Sequence, residues 1–129
     1  MICLDSDCII DFLRGKKEAV LAVSKYKDYL STTEINLFEV LVGINIKKII
    51  NEKEEIAAKL FFDSIRILPA LNFGEYASKI FAQLVKDGKM MDQNDCLIAG
   101  IMLSNGCDQI MTRNDKHFSN IKEINAINY

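Results

Sequence analysis

The stretch Ile2-Cys3-Leu4-Asp5-Ser6-Asp7-Cys8-Ile9-Ile10 decides the fold. Its three opening apolar residues are too few for a helix and are ended by an acid, so they read as a short buried strand stopping at Asp5. Residues 7–14 then read as a helix carrying Ile9, Ile10, Phe12 and Leu13, stopped by Gly15. An acid at a strand-to-helix junction stands where a parallel α/β sheet gathers its ligands, just outside the carboxyl ends of the strands.

Three other oxygen-bearing positions lie in or beside apolar runs. Glu39 is inside Leu37-Phe38-Glu39-Val40-Leu41, Asp95 precedes Cys96-Leu97-Ile98-Ala99, and Asn114-Asp115 follow Ile110-Met111-Thr112-Arg113. Only a fold that returns repeatedly to one edge can bring them to Asp5. The intervening pattern supplies such returns. Helices are predicted over 17–27 (Val20, Leu21, Val23 and Ser24 toward the core), 36–50, 52–64, 73–87 and 92–105. Strands are predicted over 29–32, 65–68 and 109–112, with a fifth over 123–127. Gly43, inside the third helix, suggests a close approach to another backbone. Phe73, Tyr76, Ala77, Ile80, Phe81, Leu84 and Val85 keep a helical period and form core or a subunit contact. This alternation predicts a three-layer α/β/α architecture around a mainly parallel sheet of four to five strands, in a single domain over 1–129.

Composition narrows the function classes. The chain has 129 residues, 50% hydrophobic and 26% charged, with one Pro and six Gly, which excludes a linker-rich or disordered architecture. Sixteen basic against eighteen acidic residues give a formal charge of −2, which is not the footprint of a protein that coats nucleic acid non-specifically. Cys3, Cys8, Cys96 and Cys107 show no C-x-x-C pairing, and with the single His117 they make no plausible zinc set. Free thiols in apolar runs fit a reducing, cytoplasmic setting. No signal peptide is expected, because Asp5 and Asp7 interrupt the amino-terminal apolar run, and no run is long enough to cross a membrane.

Each acid has an ordinary structural explanation. Asp5 can cap the helix that follows it. Glu39 stands three residues after Asn36, and Asp95 three after Asp92, the spacing of a capping box. Asn114 can open a turn, and Asp115 can cap the segment before Phe118. Taken together these explanations weaken, because carboxylates beside apolar runs are costly unless something compensates them. A hard divalent cation such as Mg2+ is bound by such oxygens and compensates several at once.

In order along the chain, these motifs resemble those of the PIN-domain family. The segment Ile2-Cys-Leu-Asp-Ser-Asp-Cys-Ile-Ile-Asp11 is similar to the family's opening strand and Asp-Thr-Asn. Asn36-Leu-Phe-Glu-Val-Leu-Val-Gly-Ile44 is similar to its second motif, a Glu followed four residues later by Gly. Asn94-Asp-Cys-Leu-Ile-Ala-Gly100 resembles Asp-x-x-Ile-Ala-Ala, and Ile110-Met-Thr-Arg-Asn-Asp-Lys-His-Phe118 resembles a Thr-Arg-Asn-x-x-x-Phe ending. The compact size looks most like the VapC-type toxins of toxin–antitoxin pairs. Ser6 replaces the usual Thr and keeps its hydroxyl, whereas Asp7 replaces the usual Asn and adds a negative charge.

The resemblance implies a metal-dependent endoribonuclease using Mg2+ or Mn2+, with RNA as substrate and a cognate antitoxin as partner. It implies Asp5 and Asp95 as principal metal ligands and Glu39 at the rim. Asn114, preferred here to Asp115, completes the catalytic set. Ser6, Asp7, Thr112 and Asp115 support these ligands. A homodimer is expected from the apolar surface along Leu37–Ile50 and Phe73–Val85. Arg113 and Lys116 are read as exposed surface cations, with phosphate contact as the alternative. Arg14, Lys16 and Lys17 are read as a solvated turn, and His117 as a packing or surface residue. Two rival functions remain: a catalytically inactive PIN-like interaction domain, and a haloacid-dehalogenase-like phosphatase. The second shares the opening Asp-x-Asp but finds no downstream Asp-Asp motif here.

Overall fold

The computed structural model describes all residues from Met1 to Tyr129. Five strands form one sheet: β1 (Ile2–Leu4), β2 (Leu30–Thr32), β3 (Arg66–Ile67), β4 (Gln109–Met111) and β5 (Asn125–Ile127). Their order is β3-β2-β1-β4-β5, and every pairing is parallel. The chain builds outward from β1 to β3 on one side, then crosses back to place β4 on the other flank of β1. The switch point of the sheet therefore lies between β1 and β4, where ligands of open parallel sheets bind.

Seven helices fill the connections: α1 (Ser6–Leu13), α2 (Lys17–Lys25), α3 (Glu34–Asn45), α4 (Glu52–Ser64), α5 (Phe73–Lys86), α6 (Gln93–Ser104) and α7 (Asp115–Phe118). Alternate residues of β1 serve opposite cores, as the two-residue period of a strand requires. Ile2 and Leu4 pack with Cys8, Ile9, Val23, Val40, Ile44 and Phe62 from α1 to α4. Cys3 packs with Ile80, Leu84, Ile98, Ile101 and Met102 from α5 and α6. The result is the expected α/β/α sandwich around a parallel sheet, with its fifth strand present.

Several local expectations change. The helix foreseen over 36–50 starts two residues earlier, because the Thr33 hydroxyl accepts the Asn36 N–H and caps it. It ends at Asn45, and Asn51 caps α4 by accepting from the N–H groups of Lys53 and Glu54. Between them Ile46 and Ile49 stand in solvent. In α2 the core is reached by Ala19 and Val23, while Leu21 and Ser24 face outward. Gly43 has no neighbouring atom near its missing side chain. The close approach is instead at Gly100, where a Cβ would lie 2.7 Å from Ala77 Cβ and 2.9 Å from the Phe73 carbonyl. Gly100 thus lets α6 press against α5. The α5 stripe is only half used: Ala77, Ile80 and Leu84 are buried, whereas Tyr76, Phe81 and Val85 remain exposed. No helix is long and apolar enough to cross a membrane.

Candidate functional site

The site begins where β1 stops. The Asp5 N–H still bonds to the Met111 carbonyl at 3.0 Å, so its backbone belongs to the ladder while its side chain stands beyond the sheet edge. Asp5 is 5% exposed. Its Oδ1 accepts from the Ser6 N–H at 2.9 Å and from Asn36 Nδ2 at 3.1 Å, and its Oδ2 accepts from the Thr112 hydroxyl at 2.8 Å. Asp5 is therefore both the cap of α1 and the centre of a polar cluster. The capping and functional readings are compatible.

Glu39 departs from the capping-box expectation. With Thr33 as the cap, Glu39 lies in the second turn of α3, on the same face as Asn36. It reaches across to α1, where Ser6 Oγ donates to its Oε1 at 2.7 Å. Asn36 ties the two acids together. It is fully buried, donates from Nδ2 to both Asp5 and Ser6, and accepts the Thr33 hydroxyl at 2.7 Å on its Oδ1. Thr33 and Asn36 carry no charge and were not anticipated as site residues. The available signal was position, since Asn36 precedes Glu39 by about one helical turn.

Asp95 comes from the first turn of α6. Asp92 caps that helix by accepting from the Asn94 N–H, and the Asp95 side chain makes no hydrogen bond. Its membership of the cluster is electrostatic. Burial, then the charges of Asp5, Asp92, Glu39 and Asp7, push its pKa up to about 7. Asp5 is raised to about 6 by burial and by Asp7 and Glu39, although the bonds from Thr112 and Ser6 pull it back. Asp7 is also raised, mainly by burial, against the Arg113 N–H that its Oδ2 accepts at 3.0 Å. Its other oxygen is buried with no hydrogen-bond partner.

The last segment contributes through Thr112, which is buried and bonds Asp5, and through the Asn114 N–H, which donates to the Thr112 hydroxyl at 2.9 Å. The side chains of Asn114 and Asp115 make no hydrogen bond to the acids; Asn114 is exposed at the start of α7 and Asp115 half-buried. Lys116 and His117 are exposed, as expected of surface residues. Arg113 is not a free surface cation: its Nε lies 3.0 Å from Asp11 Oδ2 and 3.9 Å from Asp7 Oδ2. Asp11, one turn after Asp7 on α1, is a buried acid that the sequence reading passed over as part of an apolar helix.

These donors fit a hard divalent cation. All are oxygens, they carry more negative charge than the local cations balance, and Asp7 Oδ1, like Asp11 Oδ1 beside it, is buried without a hydrogen-bond partner. No three acids stand close enough to form a finished chelate.

The family model described as PIN domain matches residues 2–124, which takes in the first four strands and all seven helices and stops just before β5. The chain belongs to the PIN-domain family. This PIN domain is 35% identical over 102 residues to Ribonuclease VapC3 of Methanocaldococcus jannaschii, a match covering 76% of this chain and 94% of the relative. Its fold is similar to that in the crystal structure of VapBC2 from Rickettsia felis bound to a promoter DNA fragment, with a TM-score of 0.88 at 19% identity over 100% of this chain and 99% of the other. It is also similar to DNA-bound VapBC from Salmonella typhimurium, with a TM-score of 0.85 at 21% identity over 98% and 96%. The three-layer sandwich with a parallel five-stranded sheet is thus the PIN fold.

Proposed function

We propose that this PIN domain is a metal-dependent endoribonuclease and the toxin of a VapBC-type toxin–antitoxin pair, acting in the cytoplasm. The observation that carries the reading is the polar cluster at the switch point of the sheet, where Ser6, Asn36 and Thr112 hold the Asp5 carboxylate and Ser6 also binds Glu39. Its likeness to a ribonuclease over most of the chain supports the same reading.

Asp5 and Asp95 would hold Mg2+ or Mn2+, with Glu39 at the rim and Asn114 completing the set. A bound ion would supply positive charge against the phosphate and make a nearby water more acidic. The protein's own part is positioning. Three donors fix the Asp5 carboxylate, and the Ser6–Glu39 bond joins α1 to α3, so the acids are arranged before substrate arrives. Glu39, half-buried and fixed on one oxygen by Ser6, keeps its second oxygen for orienting the attacking water. Ser6 and Thr112 steady these groups through their bonds to Asp5, Glu39 and Asp7, whereas the Asp115 side chain makes no bond to them.

The antitoxin is the proposed protein partner, and two copies of this chain are the proposed assembly. The decisive experiment is cleavage of a mixed-sequence RNA by wild type and Asp5→Asn, with Mg2+, Mn2+ or EDTA. Cleavage by wild type only, and only with metal, is expected. Equal cleavage by both proteins would overturn the assignment of Asp5 as a metal ligand, and no cleavage by wild type with either ion would remove the catalytic reading and leave an inactive interaction domain.

A further inference from the structure

An acidic site must hold a polyanion, and the chain has no overall positive charge to help it. The cation tied most closely to the acids is Arg113. It directly follows Thr112, whose hydroxyl bonds Asp5, and its own N–H bonds Asp7. Its side chain is half exposed, and its Nε lies 3.0 Å from Asp11 Oδ2. Asp11 is shared with two other partners: Lys16 Nζ stands 3.2 Å from its Oδ1, and the Tyr129 hydroxyl donates to its Oδ2 at 2.7 Å. A guanidinium held at its Nε leaves both terminal nitrogens available, and no hydrogen bond within the protein engages them.

Building on the nuclease reading above, we propose that Arg113 is a substrate-binding residue that grips an RNA phosphate next to the cleavage site, with Asp11 and Tyr129 as the positioning residues that aim it. The division of labour suits arginine. One edge of the planar group is fixed by the carboxylate while the other forms two parallel bonds to phosphate oxygens. Lysine's ammonium is a point charge without the planar fork that meets two phosphate oxygens in parallel. Tyr129 acts through Asp11: its hydroxyl fixes the oxygen that Arg113 meets, so its removal loosens the arginine without changing any charge.

The test compares Arg113→Ala, Arg113→Lys and Tyr129→Phe with wild type in steady-state RNA cleavage and in thermal shift with Mn2+. A phosphate contact made equally in ground and transition states appears in KM, so both Arg113 variants should raise KM about tenfold or more with kcat changed by less than about threefold. Tyr129→Phe should move KM in the same direction by a smaller factor. The Mn2+ shift should be the same in all four proteins. A wild-type KM in Arg113→Lys, or a KM in Tyr129→Phe equal to wild type, would overturn the assignment. Should Arg113→Ala fail to fold, the Lys and Phe variants decide alone. If wild type cleaves no RNA, the catalytic reading fails separately. Fluorescence anisotropy with a labelled single-stranded RNA then decides this one: equal affinity of wild type and Arg113→Lys overturns it, and a loss of about tenfold supports it.

Discussion

The hydroxyl of Thr112 donates to Oδ2 of Asp5 at 2.8 Å, across the line where the sheet changes its direction of growth. The bond ties the carboxyl end of β1 to that of β4, just beyond the Leu4–Met111 pair. It also explains why Asp5 keeps one geometry despite the repulsion around it. Its oxygens are already held by Thr112, Ser6 and Asn36 before any cation arrives.

Replacing either principal acid should separate activity from stability. Asp5→Asn and Asp95→Asn are expected to fold, to lose most RNA cleavage, and in Asp95→Asn to melt no lower than wild type without metal. Neutralising Asp95 removes charge repulsion without breaking a hydrogen bond. RNA cleavage near the wild-type rate in Asp95→Asn would refute its assignment as a ligand.

The raised carboxyls predict the pH response. Asp5 near 6 and Asp95 near 7 stand above their usual 3.8, and Asp7 is shifted the same way. Between those values the folded chain keeps protons that the unfolded chain has released, so stability falls as pH rises. Below the usual carboxylate range both states are protonated and this cost vanishes. Asp11 opposes the trend, since burial raises its pKa but Tyr129, Lys16 and Arg113 bring it below the ordinary value; its contribution is lost as pH falls below the ordinary carboxylate range. In EDTA, the melting temperature should therefore drop from about pH 5 to about pH 8, with a smaller drop in Asp95→Asn. Millimolar Mn2+ at the upper pH should restore much of it. Equal pH slopes for the two proteins would show that Asp95 is not under this strain.

Asn36 should matter as much as the acids. Asn36→Ala leaves the Thr33 hydroxyl without its acceptor and removes a donor from Asp5 and Ser6, so a loss of about 1–3 kcal/mol is expected. Activity should fall further than stability explains, because Asp5 and Ser6 lose their common anchor. Urea unfolding paired with RNA cleavage at a temperature where the variant is fully folded measures both.

Asn114 and Asp115 divide the last contact. Asn114→Ala is expected to reduce metal-dependent cleavage, and Asp115→Ala to leave it nearly unchanged, because a neutral amide oxygen adds a ligand without adding charge. The reverse pattern in the same assay would assign the role to Asp115. Both variants should retain the fold, since neither side chain is buried.

Gly100→Ala is a packing test remote from the chemistry. The new methyl would meet Ala77 Cβ at 2.7 Å and the Phe73 carbonyl at 2.9 Å, and backbone cannot swing aside as a long side chain can. Overpacking of this kind costs about 1–3 kcal/mol. The melting temperature should fall while the Mn2+ shift is kept. An unchanged melting temperature would mean that α5 and α6 can separate at no cost.

What the sequence disclosed depended on charge and periodicity. Asp5, Glu39 and Asp95 were visible because an acid among apolar residues is conspicuous. The sheet was visible because short apolar runs alternate with helical ones. Asn36 and Thr33 were not, because a neutral polar residue near a helix start looks like an ordinary cap. Asp11 was hidden among helical apolar residues, since its partners Arg113 and Tyr129 come from the opposite end of the chain. Gly43 and Gly100 are alike in sequence, and only the packing of α5 on α6 distinguishes them.

The pairing of β1 with β4 also sets a clock on synthesis. Asp5 leaves the ribosome early, yet the residue that completes its hydrogen bonds follows 107 positions later. At ordinary elongation rates of roughly 5–20 residues per second, about 5 to 20 seconds separate the two. Until then β1 can pair only with β2, the seam stays open, and Asp5 lacks the Thr112 bond. The last of the hydrogen bonds that hold Asp5 therefore forms only after the whole segment between the two residues has been made.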